Sequence, residues 1–282
     1  MLFPDNIGKR LSIDEVALSN GELFTIVTNK QAKGGKGAII AMAHGTKSRE
    51  IQPILNKISE EKRMTVEEIT MDMANYMEII TSGSFPKAVQ VIDRFHAQKI
   101  VSDAVQEIRI ELRKKAIKEE NEALKKARAE HRRYRLIEFK NGDTKKQLLA
   151  RSRYLLFKAK SKWTDNQRRR ADVLFEEFPE IKNAYDLSMM FRSFYEHSSN
   201  QFEAKIFLNK WYEKIKEKNI ESFNIAAETI YLHEATILNY FNNRSTNASA
   251  ESFNAKLKAF RSIVRGVRDL KFHLFRVAKL YA

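Results

Sequence analysis

The sequence predicts an α/β chain: a mixed five-stranded sheet, interrupted by a large all-helical insertion ahead of the last helices of the sheet-bearing part. Three observations predict it. Strand and helix signals alternate over roughly the first hundred residues, glycine and strand signals nearly vanish from about residue 98, and a polar small-residue run at 245–254 leads into the closing helices.

Residues 10–28 read as two strands. Leu11, Ile13, Phe24, Ile26 and Val27 supply the strand-forming side chains, and Ser19, Asn20 and Gly21 supply the turn. The second strand runs into the glycine cluster QAKGGKG at 31–37, and the apolar residues 38–43 follow, so strands two and three form a hairpin. The GGKG within it lacks the spacing of a phosphate loop, and a strand rather than a helix comes next. Thr46, Lys47 and Ser48 open a helix with Ile51, Ile54, Leu55 and Ile58 as its apolar stripe. Residues 66–73 form a fourth strand ending at Asp72, and Tyr76, Ile79 and Ile80 mark a short helix broken near Gly83 and Pro86. Residues 88–92 are a fifth strand ending at Asp93, from which Arg94, Phe95 and His96 enter a helix. Short strand-helix-strand links make parallel pairs, whereas the opening meander is antiparallel. A sheet built in this order, with the first strand central and the fourth beside it, is ribonuclease-H-like. The predicted division is 1–108 for the first part of that core, 109–244 for a basic helical insertion and 245–282 for the second part of the core.

Charge is concentrated. The chain of 282 residues carries 51 Lys and Arg against 36 Asp and Glu, a net +15, and residues 109–170 alone hold 22 cations against 8 acids. Such a balance points to a polyanionic partner, most often nucleic acid. Arg132, Arg133 and Arg135, and then Arg168, Arg169 and Arg170, are clustered and uncompensated, so they are candidate phosphate contacts, as are Lys256 and Lys258. Trp163 lies between basic runs and is a candidate stacking residue, with burial in the insertion as the competing outcome. The aromatic residues at 191–212 have the spacing of a helical core. No apolar run spans a membrane, and the start is not a signal peptide. Cysteine is absent, which excludes disulfides and Cys-ligated zinc within the chain and fits a reducing cytoplasm; with a nucleic-acid partner the expected location is cytoplasmic and nucleoid-associated.

Three acids fall at element positions suited to chemistry: Asp14 inside strand one, Asp72 at the end of strand four and Glu251 at a helix start. A carboxylate within an apolar strand needs a partner. If strands one and four are neighbours, Asp14 and Asp72 meet, and Glu251 joins them when its helix packs on the same edge. Three converging carboxylates repel one another unless cations neutralise them. All-oxygen donors suit Mg²⁺ or Mn²⁺, and two such ions about 4 Å apart serve phosphodiester chemistry. Simpler roles compete: a structural ion pair for Asp14, a helix cap for Asp72 or Asp93, a helix-face position for His96, and an answer to the helix dipole for Glu251. Asn254, one turn beyond Glu251, is placed to orient it or touch DNA. Glu15 alternates with Asp14 and points to the other face, which makes it a weaker candidate.

The segments IDE at 13–15, TMDM at 70–73, DRFH at 93–96 and STNASAESFNAKLK at 245–258 resemble bacterial DDE transposases of the ISL-three type, and the resemblance runs over essentially the whole chain. It implies a ribonuclease-H-like catalytic core with a helical insertion before the final acidic helix, and the 179 residues from Asp72 to Glu251 leave room for one. It further implies that Asp14, Asp72 and Glu251 are the catalytic, metal-binding triad, that Asp93 and His96 form a supporting D-x-x-H pair, and that the enzyme cleaves DNA and transfers strands as a homo-oligomer on DNA. One departure stands out. Members of that family carry an N-terminal Cys-containing zinc-binding region and a helix-turn-helix, whereas here Asp14 lies thirteen residues from the start and no Cys is present. End recognition is then expected from a separately encoded DNA-binding partner, or the copy is truncated. A ribonuclease-H-like nuclease or resolvase without strand transfer, and an inactive basic DNA-binding fragment, are the alternative functions.

Overall fold

A computed structural model describes residues 1–19, 22–263 and 269–282. The expected turn at Asn20 and Gly21 and the expected helix end at Gly266 lie outside the described residues. Backbone packing divides the chain into two compact units, residues 1–97 with 233–282 and residues 98–232.

The first unit holds a sheet of strand order β3-β2-β1-β4-β5, built from Arg10–Ser19 (β1), Glu22–Asn29 (β2), Ile39–His44 (β3), Glu68–Met71 (β4) and Val89–Ile92 (β5). The β1–β2 and β2–β3 pairs are antiparallel, and the β1–β4 and β4–β5 pairs are parallel, so β1 is central with β4 beside it. This is the ribonuclease-H-like arrangement that the strand order predicts. Side chains alternate across a strand. Val16 and Leu18 of β1 join Phe24, Ile26, Ile39 and Met42 in a core covered by Phe253, Leu257 and Val277. Leu11 and Ile13, equally buried, line the opposite face. There Ser48–Leu55 (α1) and Asn75–Ser84 (α3) pack, with the short Glu60–Arg63 (α2) between them in sequence.

Arg94–Ala129 (α4) begins in the first unit and belongs to the second from Gln98 onward. The second unit continues with Lys145–Arg151 (α5), Asp165–Glu177 (α6), Pro179–His197 (α7), Gln201–Lys218 (α8) and Glu221–Leu232 (α9). Its core is aromatic: the Phe191 and Trp211 rings lie 4.8 Å apart, and the Trp211 indole N–H donates to Leu187 O at 3.0 Å. Asp143 is 1% exposed and accepts from Arg170 Nε at 3.0 Å and from Arg151 Nη1. Burial pushes its carboxyl up, but the hydrogen bonds from Arg170 and Arg151 outweigh that and hold it below its ordinary value. Stability from this group is therefore complete above the unfolded carboxyl pKa near 4 and is lost as pH falls through the lower folded value. Asp143→Asn is expected to destabilise the second unit by about 2–4 kcal/mol, because it leaves two arginines without their partner. Urea denaturation at pH 7 and at pH 3 checks this, since the difference from wild type should shrink at pH 3.

The chain rejoins the first unit at His233 and continues through Glu234–Leu238 (α10), Tyr240–Asn243 (α11), Ala248–Ile263 (α12) and Leu270–Tyr281 (α13). Three contacts fix the return: His233 Nδ1 lies 2.6 Å from Glu78 Oε1, Asn239 Nδ2 donates to Gln90 O, and Asn243 Nδ2 donates to Glu68 Oε2. The packing limits at 97/98 and 232/233 thus precede the 108/109 and 244/245 expected from composition. At the first limit α4 runs straight through, so the chain changes unit without any turn signal. Among the described residues no helix is long and apolar enough to cross a membrane.

Candidate metal-binding site

Strand register assembles the acids. Ser12 pairs with Thr70 in the parallel β1–β4 ladder, so two residues further along Asp14 comes opposite Asp72. Met71 pairs with Ile92 in β4–β5, and Asp93 N donates to Met71 O at 2.9 Å, so Asp72 comes opposite Asp93. Residues opposite each other in parallel strands project to the same face, about 4.8 Å apart. Asp14, Asp72 and Asp93 therefore form a row across the neighbouring strands β1, β4 and β5, at the end where β4 and β5 stop.

Helix α12 closes the row. Asn254 Nδ2 donates to Asp14 Oδ2 at 2.7 Å and to Glu15 O at 3.2 Å, clipping the helix onto β1. Glu251 stands one turn earlier, exposed. One ligand atom each from Asp93, His96 and Glu251 lie within 4.8 Å of one another. His96 Nδ1 is also 3.3 Å from Asp72 Oδ1. Asn247, 1% exposed, precedes α12 and donates from Nδ2 to Ile13 O at 3.3 Å and to Asp72 Oδ1 at 3.4 Å.

The acids resist ionisation together. Burial and then the charge of Asp72 push Asp14 up to about 6, with Glu251 adding to the rise and the Glu15 N–H and His96 opposing it. Burial and then Asp93 push Asp72 up to about 7, against the hydrogen bond from Asn247, with Glu15 and Glu251 adding to the rise. Burial also raises Asp93, while the backbone N–H groups of Asn247 and Phe95 and the charges of His96 and Arg94 pull the other way. Asp93 is fully buried, yet neither carboxylate oxygen makes a hydrogen bond of ordinary geometry. Such groups are under-coordinated for a protein interior. The donor set, carboxylate oxygens with one imidazole, fits a hard divalent cation of the Mg²⁺ or Mn²⁺ kind.

Several expected roles change in place. Asn254 orients Asp14 rather than Glu251, because its amide projects toward β1. The polar run at 245–254 is helical from Ala248, which puts Glu251 in the first turn, since packing on β1 overrides the poor helix propensity of its Ser and Asn residues. Trp163 is corrected as a stacking residue: it is 8% exposed, its indole N–H donates to Leu155 O at 2.8 Å, and its ring packs on Phe175 and Tyr185. Arg170 is held by Asp143, and Arg132 by Glu130 at 2.8 Å, whereas Arg133, Arg135, Arg168 and Arg169 are exposed. Lys258 is exposed, and Lys256 Nζ donates to Gly34 O at 3.3 Å.

Sequence reasoning passed over Asn247 and Tyr76. The Tyr76 phenol donates to Glu15 Oε1 at 2.5 Å. Burial first, then that bond to Glu15, raises its pKa far above the ordinary phenol value. Glu15 thus faces α3, as strand alternation requires, while its charge still reaches Asp72. The signal for Tyr76 was its place four residues after Asp72 at the start of α3. For Asn247 it was a lone amide amid small residues just before an acidic helix.

A family model for transposases of the DDE, ISL3 type matches residues 11–277. The chain is 23% identical over 267 residues to the transposase for insertion sequence element IS1557 of Mycobacterium tuberculosis, in strain CDC 1551 / Oshkosh and in strain ATCC 25618 / H37Rv alike. That similarity covers 93% of this chain and 57% of each relative, so the chain spans little more than half the length of the curated relatives it matches.

Proposed function

The chain belongs to the ISL3 family of transposases, and from that premise we propose that its first unit is a metal-dependent nuclease and strand-transfer centre acting on DNA phosphodiesters. The observation that carries this is the row of Asp14, Asp72 and Asp93 across three neighbouring strands, with the helix of Glu251 clipped to it through Asn254. Asp14, Asp72 and Glu251 would hold the cation, and Asp93 and His96 would support it. When bound, a pair of Mg²⁺ or Mn²⁺ ions supplies Lewis-acid polarisation of the phosphodiester and of the attacking oxygen.

The protein's own groups have separable tasks. Asn254 holds Asp14 and Asn247 holds Asp72, so two acids keep their orientation before substrate arrives. His96 beside Asp72 is placed to carry a proton between that carboxylate and solvent, being itself about one-third exposed. The exposed arginines 133, 135, 168 and 169 supply DNA-backbone contacts in the second unit. Assembly of several copies on DNA completes the proposal.

The test incubates the purified chain, Mg²⁺ or Mn²⁺, pre-cleaved element ends and a target plasmid. Joined products support a transposase, cleavage without joining supports a nuclease, and neither product under either metal removes the catalytic proposal. Asn254→Ala is expected to weaken Mn²⁺ binding by about 10–100-fold, because it frees a ligand from its outer-shell partner. Calorimetric titration of the metal checks that, and unchanged affinity would show that the clip is only structural.

A further inference from the structure

The glycine-rich loop between β2 and β3 reads in sequence as a plain hairpin connection, but its placement gives it more to do. Asn29 caps a short turn at Lys30–Ala32, its side chain accepting from Gln31 N at 2.9 Å. Lys33 follows at φ 48° and Gly34 at φ 70°, so the loop turns through the left-handed region. Gly34 then lies directly on α12. Its carbonyl accepts from Lys256 Nζ, and a Cβ built there would stand 3.4 Å from that Nζ and 3.5 Å from the Phe253 ring. Phe253 adjoins Asn254, the residue that holds Asp14, so the loop sits on the catalytic helix within one turn of the acid row.

Lys33, Lys36, Lys256 and Lys258 are all exposed, and among the described residues none of the four makes an ion pair. Some other surface cations of the same unit are matched to acids, as in Lys9–Glu67, Lys62–Asp5 and Lys47–Glu50, while others, Lys57 and Lys87 among them, are exposed with no ion pair among the described residues. A solvated cluster is the plainer explanation of four surface lysines. It does not account for the seat of the loop on the helix of Glu251. An acid row repels a polyanion, so DNA held against it needs cations beside it. Lys258 lies seven residues after Glu251 on the same helix face, about 10 Å along the axis.

We propose that the loop at 33–37, together with Lys256 and Lys258, is a DNA-backbone clamp that holds the phosphates flanking the bond presented to the acid row. The identity of the partner rests on the nuclease reading above; the position of the clamp rests on the loop's seat on α12. Lys33 and Lys36 contact phosphate, and Lys256 fixes the loop.

The experiment measures binding of a fluorescent duplex to the full chain without divalent metal, from 50 to 300 mM salt, for wild type, Lys33→Gln/Lys36→Gln and Lys33→Arg/Lys36→Arg. Losing two phosphate contacts lowers the slope of log affinity against log salt by about 1.8. Affinity at 0.1 M salt is expected to fall about tenfold, the arginine pair should retain it, and Mn²⁺ affinity should be unchanged in all three. A glutamine pair with the wild-type slope and affinity overturns the clamp and leaves the nuclease reading standing. Wild-type protein with no salt-dependent DNA binding overturns both. A glutamine pair with altered Mn²⁺ affinity assigns the loop to shaping the acid row and overturns the clamp.

Discussion

Asp72→Asn is expected to reduce DNA strand cleavage by about 10⁴-fold or more, equivalent to roughly 5 kcal/mol of transition-state stabilisation. Asp72 is central in the row, opposite Asp14 on one side and Asp93 on the other, and it also meets His96 and Asn247. An amide of the same shape keeps one oxygen for Asn247 but removes the charge that a cation needs. Asp14→Asn and Glu251→Gln should fall to a similar floor. The Asp72 and Asp14 changes together should cost little more than either alone, because groups acting as one unit are not additive. Duplex binding without metal should persist in every variant, because the cations lie elsewhere. Single-turnover cleavage of an end-containing duplex gives the rate, and gel shift gives the binding. An Asp72→Asn protein that cleaves within tenfold of wild type would end the metal-site proposal. Loss of binding and cleavage together would point to misfolding instead.

Much of the sheet was legible because its signals are local. Each strand is a short β-rich run bounded by glycine or polar turns, and short strand-helix-strand links leave β1 and β4 few alternatives to being parallel neighbours. That adjacency also makes the meeting of Asp14 with Asp72 legible, since both occupy alternate positions on one face. What was not legible depends on tertiary contacts. Nothing in STNASAES tells that the helix begins at Ala248, and nothing in FNAK tells that the Asn254 amide turns to β1. Trp163 among lysines and arginines resembles a surface residue, yet Phe175 and Tyr185, twelve and twenty-two residues further on, bury it. The passage from one unit to the other inside α4 carries no Gly or Pro, because an unbroken helix needs neither.

The acid row should also make the metal-free protein less stable as pH rises, and Asp72→Asn should relieve this. Asp14 and Asp72 are raised from the ordinary carboxyl value near 4 to about 6 and about 7. Between those limits the folded chain holds protons that the unfolded chain has released, so stability present at low pH drains as pH climbs through the folded values. Taken singly, shifts of this size correspond to about 3 and about 4 kcal/mol, but the two carboxyls interact and their sum is smaller. A divalent cation reverses the sign, because it binds the ionised row and its stabilisation grows with pH. At pH 5 the wild type and Asp72→Asn should therefore unfold at nearly the same temperature without metal. At pH 8 the variant should unfold several degrees higher, and saturating Mn²⁺ should restore or invert that order by stabilising the wild type alone. Calorimetric scans of the first unit's transition at the two pH values, with Mn²⁺ and with chelator, provide the comparison. A metal-free wild type that gains stability over the variant between pH 5 and 8 would mean the row is neutralised from within the fold. Its acids would then have no call for a cation.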